Sequence, residues 1–178
     1  MSLDSKYANH CNNTHAPQLA QSAALSSGIL TRAPGPEPQS PIAIVTCMDA
    51  RLDVFRMFGL SLAEANVIRV GGGRAPDALR SLIASEQVLK TNEIMVVHHT
   101  DCGFTKAPGL EALLEMVRTG LGGVSVDHVA FMPILRGLET SVKDDVEFLR
   151  LSPYIKKDAV ISGWIYDTFK GTIKQVEV

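Results

Sequence analysis

The chain has 178 residues, 46% of them hydrophobic and 20% charged, the proportions of one soluble globular domain that buries a core without disulfide staples. Lys and Arg total 17 against 19 Asp and Glu, and this net charge of -2 argues against a nucleic-acid or anionic-membrane binder, both of which need a basic surface. No run of about 18 apolar residues marks a membrane span. No apolar secretory core opens the chain, so the expected location is cytoplasmic. Three cysteines, an odd number, point in a reducing compartment to a metal or a free thiol rather than to a disulfide framework.

Residues 1–40 read as an extension, with one possible helix at Leu19–Leu25 and then the breaker-rich Pro34-Gly35-Pro36-Glu37-Pro38. From Pro41 the pattern becomes that of a single α/β domain, 41–178. Ile42–Thr46 is a continuous β-rich apolar run, the mark of a strand buried on both faces of a parallel sheet. Asp49–Gly59 follows as a helix with Gly59 as its stop, and Val67–Val70 as a second strand ending in Gly71-Gly72-Gly73. Pro76–Lys90 reads as a helix with Pro76 in its first turn, Glu93–His99 as a third strand, and Gly109–Thr119 as a helix. Val126–Phe131 fits neither period. Ser141–Leu149 is a helix, and Ala159–Tyr166 with Thr172–Val178 closes the chain as a strand or hairpin. Such alternation implies helices layered on both faces of a sheet.

Chemistry concentrates at strand ends. Cys47 lies just past the first strand, His99 at the end of the third, and Cys102 three residues on. Ligands gather at the carboxyl ends of parallel strands, so adjacency of these two strands would let the three side chains converge. Two thiolates and an imidazole suit Zn2+ and leave its fourth tetrahedral position to water, as in a catalytic site. His98 competes with His99, but neighbouring strand residues face opposite sides, and the offset to Cys102 favours His99. Asp49 and Arg51 stand beside Cys47. In isolation they would be a helix cap and a solvated cation. Beside a metal, Asp49 can accept a hydrogen bond from bound water while Arg51 keeps it ionised and aimed. Gly71, Gly72 and Gly73 lack the spacing of a phosphate loop and read as a close backbone approach near the metal. His10, Cys11 and His15 form a weak metal candidate in a polar segment, and His128 reads as structural.

Cys47-Met48-Asp49-Ala50-Arg51 and His99-Thr100-Asp101-Cys102-Gly103 resemble the C-x-D-x-R and H-x-x-C-G elements of the β-class carbonic anhydrases. The resemblance covers about residues 40–178. It implies a mostly parallel sheet with an antiparallel edge strand, one zinc per chain, and a dimer or tetramer in which the N-terminal arm packs on a partner subunit. It departs from the family pattern at Val70-Gly71-Gly72-Gly73, where many members have Asn-Ala-Gly and a loop one residue longer, and at Gln39, which does not match the register of a substrate-binding Gln.

The expected reaction is attack by zinc-generated hydroxide on a small linear electrophile, with Asp49 and Arg51 assisting: reversible hydration of CO2 to bicarbonate. Phe55, Val70, Gly71, Gly72 and Phe104 are candidate pocket walls. Two rivals use the same residues. One is carbonyl sulfide hydrolysis, which the Val70-Gly71 loop favours if it leaves more room for sulfur. The other is a non-catalytic zinc or redox-sensing protein in which Cys47 and Cys102 pair on oxidation.

Overall fold

The computed structural model describes residues 35–61 and 63–178. The expected helix at Leu19–Leu25, the His10, Cys11 and His15 cluster and most of the 1–40 arm lie outside the described residues. Glu37–Val178 forms one compact unit. Its elements are β1 (Ile42–Cys47), α1 (Val54–Phe58), β2 (Asn66–Val70), α2 (Ala75–Gln87), β3 (Glu93–His99), α3 (Leu110–Gly120), α4 (Leu138–Leu151), β4 (Val160–Asp167) and β5 (Thr172–Val176). The five strands run in the order β2-β1-β3-β4-β5; all neighbours are parallel except the β4–β5 pair, which makes β5 the antiparallel edge.

Strand alternation sorts the core into two layers. On one face Ala43, Val45, Ile94 and Val96 meet Ala78 and Leu82 of α2 and Val142, Val146 and Leu149 of α4. Each Val, Leu or Ile among them taken from water contributes about 1.5–3 kcal/mol. On the other face Ile44 and Val97 pack with Val54 of α1, and Met95 and Trp164 join them half-buried. Helices therefore cover both faces.

The helix expected after β1 is shorter. It begins at Val54, not Asp49, because the Asp49 carboxylate is engaged by Arg51 and it is Asp53 that caps the helix, accepting from the Arg56 N–H. Residues 126–131 form turns and irregular chain, with Val126 buried as an anchor.

Gly163 on β4 sets how closely α4 approaches the sheet, since a Cβ there would lie 2.4 Å from Val142 Cγ1. Gly163→Ala is expected to destabilise the fold by about 1–3 kcal/mol through overpacking. Val142→Ala in the same chain should recover part of that loss. Urea denaturation of both variants checks this, and a Gly163→Ala protein as stable as its parent would show that α4 moves away without cost.

Candidate metal centre

Strands β1 and β3 are neighbours, with Thr46 opposite Val97, so the chain leaves both at the same end of the sheet. This brings Cys47, His99 and Cys102 together: their ligand atoms all lie within 4.8 Å of one another, and all three residues are buried. The sulfurs of Cys47 and Cys102 are 3.8 Å apart. Two Zn–S bonds of about 2.3 Å at a tetrahedral angle separate their sulfurs by about 3.8 Å, so the spacing is that of two thiolates on one ion.

The tautomer of His99 follows from its partner. Nδ1 lies 2.9 Å from the Thr100 carbonyl, which only accepts, so Nδ1 carries the proton and Nε2 presents a lone pair. That Nε2 is buried and has no hydrogen-bond partner. An orphaned acceptor costs about 1–3 kcal/mol, and a metal at the centre of the triangle removes the penalty. His98 takes the opposite face, where its Nε2 meets Asp145 Oδ2 at 3.2 Å.

The thiols need a cation for the same reason. The hydrogen bond from Cys102, with help from His99 and the Asp49 N–H, holds the Cys47 thiol well below its usual range despite burial. That hydrogen bond and burial push Cys102 far above it. One proton leaves readily and the other stays, unless a divalent ion offsets the second negative charge.

Asp49 sits beside this triangle, its Oδ2 3.9 Å from His99 Nε2. Arg51 grips it with a fork: the backbone N–H and Nε both reach Oδ1 at 2.9 Å, and Nη2 reaches Oδ2 at 2.8 Å. These donors, the side chain first, hold the Asp49 carboxyl well below the usual carboxylate range. Arg51 is itself held from the other side, donating to Asp101 Oδ2 and to the Asp101 carbonyl, each at 2.9 Å. Lys106 Nζ completes the chain, 2.6 Å from Asp101 Oδ1.

Asp101, Lys106 and Arg69 were not singled out in the sequence. The signal for Asp101 was its place inside H-x-x-C, where the turn needs a positive φ (54° here) that Asp tolerates. Arg69 donates to the carbonyls of Cys47, at 3.0 Å, and of Asp49, and so fixes the turn carrying the first ligand. Nothing in the local pattern distinguished it from an exposed strand cation.

The candidate pocket residues separate. Phe104 packs with Cys47, Leu52, Cys102 and Ile134 around the triangle. Gly71 and Gly72 lie against its ring and its Cβ respectively: a Cβ at Gly71 would fall 2.3 Å from Phe104 Cζ, and one at Gly72 3.2 Å from Phe104 Cβ. The close backbone approach is made by Gly73, at φ 71°, where a Cβ would be 3.0 Å from the Cys47 nitrogen. Val70 packs instead on the core beneath α2 and α4, the face it shares with Ile68 two residues earlier. Phe55 lines a separate cavity of about 290 Å³ with Leu52, Val54, Val67 and Arg69. Gln39 is exposed and touches the domain through its N–H to the Ala63 carbonyl. His128 is exposed as well.

Two thiols, a buried imidazole lone pair turned toward them and a fixed carboxylate at the carboxyl end of a parallel sheet define a metal-dependent α/β enzyme. The carbonic anhydrase family profile matches residues 42–173. β-Carbonic anhydrase 1 of Mycobacterium tuberculosis is 36% identical over 165 residues, spanning 89% of this chain and 94% of that protein. The carbonic anhydrase crystal structure from Streptococcus mutans superimposes with a TM-score of 0.75 at 37% identity, covering 92% of this chain and 98% of that one. A carbon disulfide hydrolase from Acidianus is 29% identical over 148 residues, or 70% of this chain and 71% of that protein. The chain belongs to the β-carbonic anhydrase family, whose members are zinc enzymes.

Replacing Cys47, His99 or Cys102 singly with Ala is expected to abolish stoichiometric zinc, because each removes a metal bond. His98→Ala should keep it. Metal analysis of the purified variants checks the set; zinc lost from His98→Ala but kept by His99→Ala would reverse the ligand choice.

Proposed function

We propose that this chain catalyses the reversible hydration of CO2 to bicarbonate, with Cys47, His99 and Cys102 as zinc ligands and Asp49 and Arg51 as the assisting pair. The observation that carries the reading is the buried triangle with His99 Nε2 unpartnered beside a carboxylate that Arg51 keeps ionised. When bound, Zn2+ lowers the pKa of a coordinated water, less so with two thiolate ligands than in a three-histidine site, where it falls to about 7. Asp49, ionised and acceptor-only, receives a hydrogen bond from the attacking water and orients it. Arg51 fixes the direction of that acceptor through both oxygens. Leu52, Phe104 and Ile134 supply apolar walls for a linear substrate that offers few hydrogen bonds.

Carbonyl sulfide is the second reading. It is favoured by the likeness to carbon disulfide hydrolases. The room that Gly71 would leave for sulfur is filled, however, by the Phe104 ring, and Val70 faces the core. CO2 is therefore the preferred substrate. The test is kcat/KM for both substrates, in the parent and in Phe104→Ala. CO2 is expected to dominate in the parent, with a shift toward carbonyl sulfide in Phe104→Ala of about 1–3 kcal/mol, the usual range for a change in an apolar wall. A parent that prefers carbonyl sulfide would overturn the assignment. In the same assay CO2 turnover should climb on the alkaline side of neutrality, and a flat profile from about pH 6 to 9 would count against an ionising water.

We also read the chain as a cytoplasmic homo-oligomer, dimer or tetramer, to which the 1–40 arm contributes by packing on a partner subunit. The buried free thiols of Cys47 and Cys102 suit a reducing compartment. No helix among the described residues is long and apolar enough to cross a membrane. Helix α3 has no buried residue, and Met116, Leu121 and Val124 on it and just after it stand exposed. Sedimentation should show a dimer or tetramer that weakens when residues 1–33 are deleted, and a fully active monomer after that deletion would refute the arm's role.

A further inference from the structure

Asp145 of α4 is buried, with its side chain 1% exposed, and belongs to none of the motifs at the metal centre. It collects donors from two separate segments. Arg74 reaches it with Nε at 3.1 and 3.0 Å and with Nη2 at 2.8 Å; the Ala75 N–H does so at 2.9 Å, and His98 Nε2 at 3.2 Å. Burial alone would raise its pKa, but the hydrogen bonds from His98, Arg74 and Ala75 outweigh burial and leave it lowered. Arg74 spans onward to a third segment, its Nη1 donating to the carbonyls of Met132 at 3.3 Å and Pro133 at 3.4 Å.

These contacts end one or two residues from pieces of the metal centre. His98 precedes His99. Arg74 follows Gly73, whose backbone abuts Cys47. Pro133 precedes Ile134, which packs on Cys47 and Cys102 and whose N–H donates to the Phe104 carbonyl at 2.9 Å. A buried carboxylate with this many donors has one low-energy placement, so the three segments share a single reference point.

We propose that Asp145, acting through Arg74, is a positioning residue that sets the walls of the substrate pocket without touching substrate or metal. The inference rests on the CO2 reading for its substrate, though its second readout does not. Walls that contact substrate and transition state alike change KM and leave kcat alone. A residue that merely supports the fold would instead lower the active fraction, and with it the apparent kcat, at constant KM.

The variants are Asp145→Asn and Arg74→Lys. The latter keeps the charge but loses the fork that reaches both Asp145 and the 132–133 carbonyls. In zinc-loaded enzyme, KM for CO2 is expected to rise about fivefold or more, with kcat within about twofold of the parent. In cobalt-loaded enzyme, titration with thiocyanate followed through the cobalt absorption band should show a changed anion affinity at one metal per chain. If the parent fails to hydrate CO2 but the variants change thiocyanate affinity, the substrate reading falls and the positioning role stands. Folded, metal-loaded variants whose KM and thiocyanate affinity both match the parent would overturn the proposal. So would failure of both variants to yield folded, metal-loaded protein, since Asp145 would then be a folding residue only.

Discussion

Strands β1 and β3 lie side by side, parallel and in register, with Thr46 opposite Val97. Every relation at the metal centre depends on that pairing. It ends both strands at one level, so that Cys47 and His99 emerge together although 52 positions separate them in the chain. The turn after β3 then needs only a positive φ at Asp101 to bring Cys102 back toward Cys47. The glycine loop closes the remaining side because Gly73 lets backbone lie directly on backbone. A one-residue slip of β1 against β3 would turn His99 away and present His98 instead.

Around this frame the charges are ordered by depth. The thiols and the imidazole are buried, Asp49 lies at the rim, and Asp101, Arg51 and Lys106 are progressively more exposed beyond it. The inner members interact in a low dielectric and are little affected by salt, whereas the outer charges are screened within about 8 Å at physiological ionic strength. The orientation of Asp49 thus rests on a half-exposed Arg51 fork, whose own hold on Asp101 lies in the screened layer.

The fold and the clustering of Cys47, His99 and Cys102 were legible because each has a local signature: apolar runs give buried strands, and thiols or imidazole at strand ends give candidate metal donors. The choice of His99 over His98 needed only the two-residue strand period. What escaped was longer in range. Asp145 reads as one more acidic residue on an amphipathic helix, and only folding brings it to Arg74 and His98, 71 and 47 positions away in sequence. Arg69 looked like an exposed strand residue because its partners are backbone carbonyls, which carry no sequence mark. The glycine loop was read correctly as an approach of backbone, but the side chain that fills the space over Gly71 lies in another motif.

That filling makes Gly71 and Phe104 one site rather than two. A Cβ at position 71 and the present placement of the ring are mutually exclusive, since they would sit 2.3 Å apart. The order of substitution is therefore constrained. A smaller side chain at 104 opens space that a later Cβ at 71 can use, whereas the Cβ arriving first must drive the ring off the metal centre. The path by which such a pocket drifts from one substrate to another accordingly starts at Phe104, and the glycine is free to change only afterwards.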